Sequence, residues 1–209
     1  MTIDTNDILN SILESLSRVD YIRPGEIPNI DLYMDQVTTF MDKELSSTRR
    51  YADDKILTKT MINNYAKNNL LPPPVKKKYS REHVLFLIFI YYFKNILSIK
   101  DIEAVLKPLR DKYFSGEGSI ELAEIYEEIC RMEKARVEPL KEEIRSTYET
   151  AVSSFENVPD GEDREELKMF AFICSLSFDV YLKKAIIEKM IDEFTAQEKA
   201  KGSNGKPKD

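Results

Sequence analysis

LTKTMINNYAKNNLLPPPVKKKYSREHVLFLIFIYYFKNILSIKDIEAVL, from Leu57 to Leu106, is the stretch that decides the fold class. Thr58 stands where a capping hydroxyl belongs, and Lys59 to Lys67 follows with Ile62, Tyr65 and Ala66 spaced to share one face. NNLLPPP ends that helix abruptly, because three consecutive prolines hold the chain extended and donate no backbone hydrogen bonds. Ser80 caps a second helix, Arg81 to Leu97, which is apolar almost all round after its first turn and is expected at the centre of a core. Ser98 with Asp101 marks the start of a third. Its Ile99, Ile102, Val105 and Leu106 are expected to face inward, and Pro108 to end it.

Upstream, residues 5 to 18 read as a short amphipathic helix carrying Ile8, Leu9, Ile12, Leu13 and Leu16, with Thr5 or Asn6 as its cap. Val19 to Asn29, with Pro24 and Pro28, is a connector. Leu32 to Leu45 reads as a helix with Tyr33, Val37, Phe40 and Met41 on one face, and Ser46 to Lys55 as a polar loop. Downstream, SGEGS (Ser115–Ser119) is a flexible break. Leu122, Ile125, Ile129 and Met132, then Leu140, Ile144 and Tyr148, describe a long helix or a pair meeting at Pro139. A last helix runs from Arg164 to about Gln197. Its middle, MFAFICSLSFDVYL, is apolar nearly all round and is expected to be covered on more than one side. The expected fold is all-α with a small wing near Val75 to Tyr79. It divides into an N-terminal domain over 1–114, an acidic helical domain over 119–198 for dimerisation or effector binding, and a disordered tail over 199–209.

The 209 residues are 42% apolar and 33% charged, which is the composition of a folded chain. Cys130 and Cys174 have neither disulfide nor metal spacing and read as two buried free thiols. No secretory leader is visible at the start, and VLFLIFIYYF is about half as long as the roughly 20 residues of a membrane span, so a cytoplasmic location is expected. His83, the sole histidine, reads as a solvated helix-start residue with no nucleophile or metal ligand marked out beside it. No glycine-rich phosphate cradle occurs. Neither a catalytic residue, a metal nor a cofactor is expected, and the chain reads as a non-enzyme.

Charge is unevenly spread. Ser46 to Arg81 carries nine cations and two anions, a balance of +7, whereas Ser119 to Phe170 carries fifteen anions and seven cations, a balance of −8. A basic segment joined to an acidic one is the footprint of a polyanion binder. Within it, Asn63 and Asn64 can pair with adenine edges and Lys59 with guanine, while Thr60 can touch a thymine methyl or a phosphate. Lys76, Lys77, Lys78 and Arg81 can neutralise phosphates, with Tyr79 offering a hydroxyl. The helix from Leu32 to Leu45 can brace the Lys59 helix from behind.

With those residues in place, the stretch resembles the MerR-type winged helix-turn-helix. Thr58, Ile62, Tyr65, Leu70, Leu71, Pro72, Tyr79, Ser98, Ile99 and Ile102 fill the positions of its capped helix, Leu-Leu-x-Pro exit, wing and following helix. LTKTMINNY, LLPPP and KKKYSREH are also similar to a bacterial family known as domain of unknown function 1836, over about residues 25 to 110. The chain departs from the MerR pattern at Asn63, where arginine is usual, and in a wing of proline and lysine rather than glycine and arginine. The resemblance implies a transcription regulator that binds double-stranded DNA as a homodimer, with an effector unspecified. The alternative is a non-catalytic protein-interaction module on the same fold, which the net charge of −6 favours.

Overall fold

The computed structural model describes residues 5–16 and 21–203, with side chains described over 9–16 and 21–197. The described chain is mostly helical, with two short strands: α1 (Thr5–Leu16), β1 (Leu32–Tyr33), α2 (Met34–Glu44), α3 (Lys59–Lys67), β2 (Lys78–Tyr79), α4 (Arg81–Phe93), α5 (Ile99–Tyr113), α6 (Leu122–Val152) and α7 (Glu162–Ser203). It forms two compact units. One draws on Arg18–Arg131 and Ile191–Asp209, the other on Met1–Ser17 and Met132–Met190.

In the first unit α4 is the core helix, and every residue from His83 to Tyr91 is buried. Val37 and Met41 of α2, Ile62 and Tyr65 of α3, and Ile102 and Leu106 of α5 belong to the same cluster. Thr58 caps α3 by accepting from the Met61 amide at 3.2 Å, and Ser98 caps α5 by accepting from the Asp101 amide at 3.2 Å. Asn69 ends α3 at φ +56°. Its amide donates to the Ala66 carbonyl and that of Leu70 to Tyr65, the paired bonds by which a left-handed residue closes a helix. This turns Leu70 and Leu71 into the core.

Several expectations need correction here. Leu32 and Tyr33 do not begin α2 but form β1, antiparallel to β2 with Leu32 opposite Tyr79 and Tyr33 opposite Lys78. α4 stops at Phe93 rather than Leu97. α5 runs through Pro108 to Tyr113; the proline forfeits one ladder bond, and the burial of Ile102 and Leu106 holds the helix regardless. Ile99 is exposed. The polar segment after α2 is a loop, as expected, and is tied down: Asp54 accepts from the Arg50 and Tyr51 amides, Lys94 donates to the Ile56 carbonyl at 2.8 Å, and Thr48 hydrogen-bonds Tyr91. α6 is one helix with Pro139 inside it. Its first turns, through buried Leu122 and Tyr126, belong to the first core, so the compact unit extends past the expected edge at 114.

The second unit has its own small core, where Leu9 and Leu13 of α1 meet Tyr148 and Ala151 of α6 and Phe172 of α7. The Tyr148 and Phe172 rings sit edge to face, 5.3 Å apart. The middle of α7 is covered on one side only. Phe170, Ile173, Phe178, Val180, Tyr181 and Leu182 are exposed, contrary to the expectation of burial on several sides. Cys130 and Cys174 form no disulfide and are half-buried rather than buried. Residues 199–203 continue α7 as helix rather than tail. The expected cap at Thr5 or Asn6, and the tail from residue 204, lie outside the described residues and side chains.

Candidate nucleic-acid interface

The burial of Ile62 and Tyr65 fixes how α3 rolls about its axis. Lys59, Thr60, Asn63 and Asn64 consequently face solvent. α2 packs against α3. The Asn64 and Asn63 side chains are free of the core, while the Asn64 carbonyl also accepts from Asn68 Nδ2 at 2.8 Å.

After the proline run, Val75 and Lys78 exchange two backbone bonds, 3.1 and 2.9 Å long. The two residues between them are Lys76 at φ +50° and Lys77 at φ +65°. This is a two-residue hairpin turn of the type that needs positive φ at both central positions and usually carries Asn-Gly. A non-glycine residue costs about 1–2 kcal/mol in that region. Lysine is thus held at the tip against the backbone's preference, and both side chains are exposed.

Two contacts join this turn to α3. Lys78 Nζ lies 5.4 Å from the centre of the Tyr33 ring. Two residues on, Asp35 forms an ion pair with Lys59. The β1–α2 junction therefore carries the hairpin on one side and the start of α3 on the other. Tyr33 and Asp35 were not among the expected site residues, and no local spacing links position 35 to 59 or 33 to 78.

Two expected contact residues lie elsewhere. Tyr79 is a core side chain, 3% exposed, with burial pushing its phenol pKa up; β1 pairing turns it inward. Arg81 is half-buried, its guanidinium donating to the Pro24 carbonyl at 3.0 Å, so it ties the connector to α4. His83 is buried as well. Its Nδ1 accepts from the Ser80 amide at 3.0 Å, and its ring meets Tyr79 and Phe114 edge-on. It takes the third helical position of a capping box, where Glu or Gln is usual. Burial is the main cause of its lowered pKa.

Among the described residues, no group of three or more His, Cys, Asp or Glu is placed to hold a metal ion, and no helix is long and apolar enough to cross a membrane. The family model described as Domain of unknown function (DUF1836) matches residues 22–129. The chain belongs to the DUF1836 family. Its DUF1836 segment runs from buried Ile22 to the first turns of α6, close to the Arg18–Arg131 part of the first unit. The lysine hairpin and the α3 surface both fall inside the DUF1836 match. No curated protein and no solved structure matches the chain.

Proposed function

We propose that this DUF1836 chain is a DNA-binding transcription regulator built on a MerR-like winged helix-turn-helix. α3 reads base edges in the major groove through Lys59, Thr60, Asn63 and Asn64, and the Lys76–Lys77 turn grips backbone phosphate as the wing. The observation that carries this is the pair of exposed lysines at positive φ. A solvated charge run has no reason to occupy a strained turn that Asn-Gly fills at lower cost, whereas a phosphate clamp needs the charge at the tip. The amides of Asn63 and Asn64 supply the bidentate groups that recognise adenine. Lys78, steadied over Tyr33, sets the inner edge of the contact.

The ion pair between Lys59 and Asp35 favours the second reading, a non-catalytic protein-interaction module, because it neutralises a cation at the start of α3. Selecting duplexes from a random pool with the full chain separates the two. A regulator enriches a defined site, and Asn64→Ala narrows the gap between that site and random DNA. A pool that stays unenriched supports the interaction module.

A further inference from the structure

We infer that Cys130 is a site of reversible oxidation by hydrogen peroxide, whose sulfenic acid product is held by the hydroxyls of Tyr126 and Tyr92. All three residues lie in the Arg18–Arg131 part of the first unit. The inference does not rest on the DNA-binding proposal.

Tyr126 is 2% exposed, its ring set edge-on to Phe89 at 5.5 Å. Cys130 follows one helical turn later on α6 and packs against the same core. Helix side chains lean towards the N-terminus, so the Cys130 sulfur points back at Tyr126, and the Tyr126 hydroxyl reaches it. Tyr92 of α4, its ring 5.7 Å from Tyr21, is close enough for its charge to couple to both. The Tyr92 and Tyr126 hydroxyls are buried with no nitrogen or oxygen partner among the described residues. The adjacent Tyr91 shows the ordinary case, its hydroxyl bonded to Thr48. Buried phenols usually find such a partner. Two that lack one beside a single sulfur mark a place suited to receive a polar atom.

Oxidation supplies that atom. Burial above all raises both phenol pKa values, so the hydroxyls stay protonated and act as donors. A donor aimed at the sulfur favours the thiolate, which is the reactive form. The Cys130 thiolate attacks one oxygen of hydrogen peroxide. An S–O bond forms, the O–O bond breaks, and the departing hydroxide takes up the proton that the thiol released. Sulfenic acid and water result; the sulfur loses two electrons and the peroxide gains them. The new oxygen accepts from the two phenols, giving each the partner it lacks in the reduced chain. Half-buried, the thiol admits an oxidant as small as peroxide while the surrounding rings limit a second oxidation.

Intact mass spectrometry of the full chain after hydrogen peroxide treatment tests this, with dithiothreitol reversal separating sulfenic acid from methionine sulfoxide. Cys174→Ser, which keeps Cys130, should gain one reversible oxygen about tenfold faster than Cys130→Ser, which keeps Cys174. Adding Tyr126→Phe to Cys174→Ser should slow that gain about tenfold, the worth of one hydrogen bond to a charged group. Tyr126→Phe in the reduced wild type should hold or raise the melting temperature, since the hydroxyl it removes has no nitrogen or oxygen partner. Equal rates at the two cysteines, no reversible gain, or a gain indifferent to Tyr126→Phe each overturn the inference. A clear fall in melting temperature also overturns it, because the hydroxyl would then be engaged in the reduced chain.

Discussion

Lys78 Nζ sits over the Tyr33 ring, 5.4 Å from its centre, and thereby anchors the inner side of a hairpin whose outer residues are Lys76 and Lys77. Tyr33 is itself half-exposed, so its ring serves as a platform more than as core. Tyr33→Ala should leave the melting temperature within a few degrees. In the DNA-binding account it should weaken duplex binding by about 0.5–1 kcal/mol, the worth of an exposed cation–π contact. Fluorescence anisotropy with a labelled duplex reads the effect.

Backbone strain and charge can be separated at the tip of the turn. Lys77 stands at φ +65°, so Lys77→Gly should stabilise the fold by about 1 kcal/mol in chemical denaturation. Lys77→Ala keeps the strain and should change stability by less than about 0.5 kcal/mol. Both should weaken binding alike. A Gly variant no more stable than the Ala variant would count against the left-handed geometry.

The orientation of α3 predicts a sharp contrast between neighbours. Ile62 has no exposed surface, and Ile62→Ala should cost about 2–5 kcal/mol. Asn63 is exposed, and Asn63→Ala should stay within about 0.5 kcal/mol in the same urea titration.

Protonation of His83 links stability to pH. Burial lowers its pKa below 6.5, although the carbonyls of Pro73 and Pro72 and the charges of Glu82 and Asp31 pull it up. The unfolded chain therefore takes up the proton first as pH falls. The contribution to stability is complete above about pH 6.5 and is lost as pH drops through that value towards the folded pKa. Protonated Nδ1 also cannot accept from the Ser80 amide. Melting temperatures between pH 7.5 and 5 should fall more steeply for the wild type than for His83→Gln, whose amide can still close the capping box. Parallel curves would remove His83 as the cause.

What the sequence made legible is what is decided locally. Thr58 and Ser98 cap their helices because a hydroxyl and an amide three residues on are all the geometry requires. The central place of α4 follows from its composition. β1 was illegible because Leu32 and Tyr33 are strand only through pairing with Tyr79 and Lys78, 47 and 45 residues away, and the same pairing turns Tyr79 into the core. His83 looked solvated because its neighbours are charged, yet its position three residues after Ser80 assigns it a backbone amide. α7 shows the opposite limit: apolar content indicates that a surface needs cover but not whether its own chain supplies it. The exposed amides of α3 were readable from the Ile62–Tyr65 spacing, whereas Asp35 and Tyr33 enter the site only through tertiary contacts.

The central claim is that Lys76 and Lys77 neutralise DNA phosphate, and binding isotherms at several salt concentrations test it most directly. The wild type should bind duplex DNA with an affinity that falls steeply as salt rises. Replacing both lysines with alanine should make the slope of log affinity against log salt shallower by about 1.8 per protomer, roughly 0.9 for each lost phosphate contact. The loss should be nearly equal for every duplex, because phosphate contacts carry no base information. A wild type that binds no duplex at low salt, or a slope unchanged by the double substitution, would contradict the account.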